Sequence, residues 1–84
     1  METIELYKVK NDFYGNPRVV IHFADLLSDA ENDTLNIDQR YNLAHNRAIY
    51  LGGKKYRGSD FGGGFVFQSY NDSELIKKIN ELKK

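Results

Sequence analysis

Cysteine is absent from this 84-residue chain. That excludes disulfide staples, thiolate metal sites and cysteine nucleophiles, and it points to a reducing compartment, the cytoplasm. No run approaches the roughly 20 apolar residues that a membrane span requires. The opening stretch METIELYKVKND alternates charged and apolar residues, with no continuous hydrophobic segment, so no signal peptide is expected. Neither sign of charge is in excess, since twelve basic and twelve acidic side chains give a formal net charge of zero. The expectation is a soluble cytoplasmic protein with no membrane partner.

What is present suffices for one small folded unit. Hydrophobic residues make up 40% of the chain and include six Tyr and five Phe, which argues against disorder. A chain of this length supports a single domain, residues 1–84, with a thin core that buries roughly 60–65% of the unfolded surface. The zero net charge conceals an asymmetry. Residues 1–36 hold seven acidic and three basic side chains, a net −4, and residues 37–84 hold five acidic and nine basic, a net +4. Residues 25–38 carry five acids and no base, whereas residues 40–57 carry five bases and no acid. Such segregation can build a basic face, although an acidic loop and snorkelling bases would give the same pattern.

The periodicities give an order of elements. Residues 3–10, TIELYKVK, are rich in β-branched and aromatic residues and predict a strand. NDFYGNP follows as a turn, with Asn11, Asp12, Gly15, Asn16 and Pro17 as turn formers. Residues 18–26 alternate, with Val19, Ile21 and Phe23 on one face and Val20, His22 and Ala24 on the other, which predicts the second strand of an antiparallel hairpin. The acidic stretch SDAENDTLN lacks periodicity and is expected to be a loop. Asn36 and Gln39 have capping-box form, and Ile37, Tyr41, Ala44, Ala48 and Leu51 recur as a buried stripe, predicting a helix over 37–51 that Gly52 and Gly53 end. Residues 64–70 predict a third strand, with Phe65 and Phe67 opposite Val66 and Tyr70. The final segment predicts a helix capped by Asn71 to Glu74 and buried along Leu75, Ile76, Ile79 and Leu82. The expected fold is α+β in the order ββαβα, a three-stranded antiparallel sheet with two helices packed on one face.

Six of the seven glycines lie within residues 52–64, a density that invites a phosphate-loop reading. The pattern G-x-x-x-x-G-K-[ST] fails because Gly58 and Gly63 are followed by Gly64 and Phe65. A dinucleotide fingerprint lies between a strand and a helix, whereas these glycines precede a strand. Asp60, Phe61 and Gly62 spell a kinase triplet in a chain too short for a kinase. An RNA-recognition strand motif matches at Gly62, Gly64, Phe65 and Val66 but fails at Phe61, Gly63 and Gln68, in the wrong order of elements. A bend or close backbone approach at the start of a strand is the structural account.

No catalytic constellation emerges. His22, alone on a strand, reads as a hydrogen-bonded structural residue, and His45 as solvated; their separation gives no zinc spacing. Asp29, Glu31 and Asp33 occupy positions of a calcium loop, but Thr34 and Arg40 stand where glycine and glutamate are needed. A domain of 9.7 kDa rarely encloses a substrate pocket while keeping a core. Neither an enzyme nor a cofactor nor a metal is expected. A binding segment is: Arg40, Arg47, Lys54, Lys55 and Arg57 interleave with Tyr41, Tyr50, Tyr56 and Phe61. Tyr and Arg anchor protein interfaces, and the same residues can hold phosphate and stack on bases. A protein partner is the leading expectation, and a nucleic-acid-binding domain using segment 40–57 is the alternative.

Taken together, FYGNPRVVIHF and KKYRGSDFGGGFVFQSY resemble a family of small proteins, with no assigned activity, encoded by phages and mobile elements of Gram-positive bacteria. The resemblance spans most of the chain, and no site residue carries over from it. It implies a host bacterial cytoplasm and a non-catalytic module that binds a host or element protein, for example as an inhibitor of a host defence nuclease in the anti-CRISPR manner.

Overall fold

The computed structural model describes residues 4–11, 13–56, 63–68 and 71–83. Four strands form one antiparallel sheet. Strands β1 (Tyr7–Val9) and β2 (Arg18–His22) are the expected hairpin, paired Tyr7 with Val20 and Val9 with Arg18. Strand β4 (Gly64–Gln68) lies against β2 in the register Val19–Phe67 and Ile21–Phe65. The fourth strand, β3 (Lys54–Lys55), was not expected and corrects the three-stranded reading; it pairs with the outer edge of β4, giving the order β1-β2-β4-β3. Two lysines carry no alternation that could mark a strand, so only pairing with β4 reveals it.

The two faces of the sheet differ because side chains alternate along each strand. Val19, Ile21, Phe65 and Phe67 share the face that packs against the helices, and all four are buried. Full burial of each such side chain contributes roughly 1.5–3 kcal/mol. On the other face a single transverse row crosses all four strands as Tyr7, Val20, Val66 and Lys54.

Strand β2 ends at His22, four residues before the predicted boundary. His22 Nδ1 accepts from the Ala24 amide and caps a 3-10 turn at Phe23–Leu26, which confirms a structural part for this histidine. The acidic stretch 28–36 is not a loop throughout. It holds helix α1 (Asp29–Thr34), opened by a capping box in which Ser28 and Glu31 exchange side-chain and backbone bonds. The signature Ser-x-x-Glu stood in the sequence, but without an apolar stripe to follow it. Helix α1 buries no side chain.

Helix α2 (Ile37–Tyr50) starts with the expected Asn36–Gln39 capping box. It ends in a glycine C-cap, where Gly52 has φ +86° and the amides of Gly52 and Gly53 bond the Ile49 and Ala48 carbonyls. Ala44 and Ala48 are fully buried, as close approach to the sheet demands, but Ile37 is 55% exposed and drops out of the stripe. Helix α3 (Asp72–Leu82) buries Leu75 and Ile79 against the core, with Ile76 and Leu82 packed beside them.

The described glycines of the glycine-rich segment flank β3 and open β4. Gly53 touches the core: an added Cβ would sit 2.5 Å from the Phe67 ring. Gly63 has φ +78°, and a Cβ there would meet Phe23 at 2.8 Å, while its carbonyl accepts from the Phe23 amide. Gly62, whose conformation the sequence left open, lies outside the described residues.

Candidate functional site

Helix α2 and β3 position the residues that the sequence singled out, and they distribute them over several surfaces. Arg47 points inward from α2. Its guanidinium donates to both carboxylate oxygens of Glu31 at 2.8 Å and to the Leu26 carbonyl at 2.8 Å, and the side chain is only 15% exposed. Hydrogen bonding to Arg47 holds the Glu31 carboxyl down at about 2. Arg47 is thus a clamp between α1 and α2 and not a surface contact, because the acidic segment folded as a helix beside it. Arg40 is half-buried, and its Nε has no hydrogen-bond partner.

Lys54 and Lys55 are exposed neighbours on β3 and, by strand alternation, leave it on opposite faces. Lys55 reaches over the core-side face, with Nζ 5.7 Å from the centre of the Tyr41 ring. Tyr41 itself is packed between Phe23 and Phe65, each ring 5.8 Å away. His45, expected in solvent, is half-buried with its ring 5.9 Å from Phe65. Tyr56 is half-buried and its amide closes the hairpin on the Gly64 carbonyl. Arg57 and Phe61 lie outside the described residues. Of the remaining aromatic candidates, Tyr50 stands out: at the end of α2 it is 78% exposed, beside the half-exposed Ile49. It forms one wall of a shallow pocket of about 380 Å³ between α2 and α3, with Leu51, Lys78, Glu81 and Leu82 as the other walls.

Two aromatic residues that sequence reasoning passed over are the most exposed large hydrophobics among the described residues. Phe13 and Tyr14, at the tip of the β1–β2 hairpin, are 96% and 84% exposed and meet edge to face at 5.4 Å. The signal was present in the sequence: two rings lie among turn formers, with Asn11 before them and Gly15, Asn16 and Pro17 after them. Arg18 braces the base of this turn by donating from Nε to the Lys10 carbonyl at 2.7 Å.

Ion pairs also form away from segment 40–57. Lys8 meets Asp72 at 2.5 Å, joining β1 to the start of α3, and Lys78 meets Glu74 at 3.4 Å. Burial pushes the Asp25 carboxyl up, against the pull of Lys83 and His22. The hydrogen bond to Glu5 pushes the exposed Tyr7 hydroxyl up as well. Among the described residues no group of three or more His, Cys, Asp or Glu could hold a metal ion, and no helix is long and apolar enough to cross a membrane.

A family model described as Staphylococcus phage terminal repeat-encoded protein TreK matches residues 1–84. The chain belongs to that family. Its phage origin agrees with the resemblance carried by FYGNPRVVIHF and KKYRGSDFGGGFVFQSY. No curated protein and no solved structure matches the chain.

Proposed function

We propose that this phage protein is a non-catalytic module that binds another protein. The observation carrying this reading is that Phe13, Tyr14 and Tyr50, three large rings, each stand more than three-quarters in water. Exposed aromatic side chains bury large area when a partner covers them, which is why they dominate interface hot spots. The pocket beside Tyr50 adds apolar walls from Leu51 and Leu82 and one charge of each sign from Lys78 and Glu81, a mixed lining suited to a polypeptide. A host defence protein, inhibited by occupation of its surface, is the partner class that fits a phage protein of this size.

The nucleic-acid alternative draws less support. Of the five bases in segment 40–57, Arg47 is consumed by Glu31, and Lys54 and Lys55 diverge across the sheet edge. Phosphate binding needs cations on a common face.

The test is affinity capture with the tagged full chain from staphylococcal lysate, followed by mass spectrometry and reconstitution with the purified candidate. A stoichiometric complex that survives nuclease treatment and 0.5 M salt is the expected result on order-of-magnitude grounds, since phosphate-driven binding weakens roughly 10³- to 10⁵-fold over a smaller salt range. Recovery of nucleic acid alone would overturn the reading.

A further inference from the structure

The hairpin tip is built as a protrusion, and we infer that Phe13 and Tyr14 form a two-ring anchor that enters a concave apolar cleft on a folded protein partner. This rests on the protein-binding reading and adds which part of the chain grips and what it grips. Three observations carry it. First, the rings have no part in the fold's own core: Phe13 is 96% and Tyr14 84% exposed, and neither belongs to the buried cluster or packs against it. Water around two such rings is released only when something outside the chain covers them.

Second, the anchor is set before binding. The rings fix each other in a T-shaped contact at 5.4 Å and 87°. Gly15 turns the chain behind them at φ +82°, and Pro17 limits the return. The Arg18–Lys10 bond at 2.7 Å closes the base of the turn. Contacts already made within the tip reduce the freedom lost on docking, so more of the contact energy appears as affinity.

Third, the charge of the segment that carries the rings selects the partner class. In sequence, residues 10–18 carry a net +1, and the Arg18 Nε proton already serves the Lys10 carbonyl. Anionic lipid surfaces and nucleic acid both require several cations beside the inserted rings. A convex, nearly neutral aromatic tip fits an apolar recess in a protein. A recess is required because a flat surface would leave one face of each ring in water.

The test replaces Phe13, and in a separate protein Ile37, with a photo-crosslinking benzoylphenylalanine in the full chain produced in staphylococcal cells. The double variant F13A/Y14A runs in parallel, together with sedimentation on phosphatidylglycerol vesicles and a band shift on oligo(dT). The expected result is one discrete protein adduct from position 13 and none from position 37. The adduct should map to apolar residues lining a cleft. The purified partner should bind F13A/Y14A about 10- to 100-fold more weakly, while circular dichroism and thermal midpoint stay unchanged because the rings lie outside the core. A captured partner that binds F13A/Y14A as tightly as the parent chain would overturn the anchor while leaving the protein-binding reading intact. Vesicle or oligo(dT) binding that F13A/Y14A abolishes would also overturn it. Absence of any protein adduct or complex would overturn both.

Discussion

Arg47 and Glu31 close the gap between α2 and α1 through two parallel hydrogen bonds of 2.8 Å, and Arg47 adds a third bond to the Leu26 carbonyl. Helix α1 buries no side chain of its own, so polar contacts hold it to the body of the protein: this ion pair, and the Asn32 side-chain amide donating to the Ala24 carbonyl at 3.0 Å. Removing one partner of a mostly buried pair leaves a charge without its counter-ion. Arg47→Met is expected to lower the unfolding free energy by about 2–3 kcal/mol. Urea denaturation followed by circular dichroism measures this, and an unchanged midpoint would contradict the clamp.

The same pair sets an acid limit. Glu31 falls from an ordinary 4.5 to about 2 in the fold because Arg47 donates to its ionised form. A carboxyl depressed on folding contributes stability that is complete above its unfolded value and lost as pH falls toward its folded value. Stability should therefore decline between pH 4.5 and 2. Glu31→Gln should flatten that part of the profile while costing stability at pH 7. Denaturation midpoints across this range are the measurement.

Asp25 has the opposite sign. Burial raises its carboxyl, so the fold disfavours the ionised form, and stability from this group is lost as pH rises through the folded value. Asp25→Asn should raise the thermal midpoint at pH 7, by less than about 1 kcal/mol in free energy, and have less effect at pH 3. A lower midpoint at pH 7 would mean that attraction to Lys83 outweighs burial.

The glycines separate by environment. Gly53→Ala places a methyl 2.5 Å from the buried Phe67 ring and should cost about 2–3 kcal/mol. Gly63→Ala combines φ +78° with a 2.8 Å approach to Phe23 and should cost a similar amount. Gly15→Ala has a positive φ but open space around it, so about 1 kcal/mol is expected. Thermal melts of the three variants should reproduce that order.

Lys54 and Lys55 occupy the outer edge of the sheet, where charged side chains obstruct pairing with another chain. The double variant Lys54→Thr, Lys55→Thr should show concentration-dependent association in light scattering while keeping its secondary structure. If instead it remains monomeric and loses binding to nucleic acid, those lysines serve the alternative function.

Local chemistry made much of this protein legible in its residues. The alternation of Val19 and Ile21, the Asn36–Gln39 box, the Gly52 cap and the Leu75–Ile79 stripe depend on neighbours a few positions away, and each appears as expected. The phage family was legible too, from FYGNPRVVIHF and KKYRGSDFGGGFVFQSY. Tertiary structure decided what depends on distant partners. Lys54 and Lys55 become a strand only because β4 offers a free edge, and Arg47 leaves the surface only because Glu31, sixteen residues earlier, is brought beside it. Position along the chain could place the cations and tyrosines in one segment. Packing in three dimensions drew Arg47 inward, split the lysines across an edge, and left Tyr50 and the unforeseen Phe13–Tyr14 pair facing water, because a small core has room for only some of its rings.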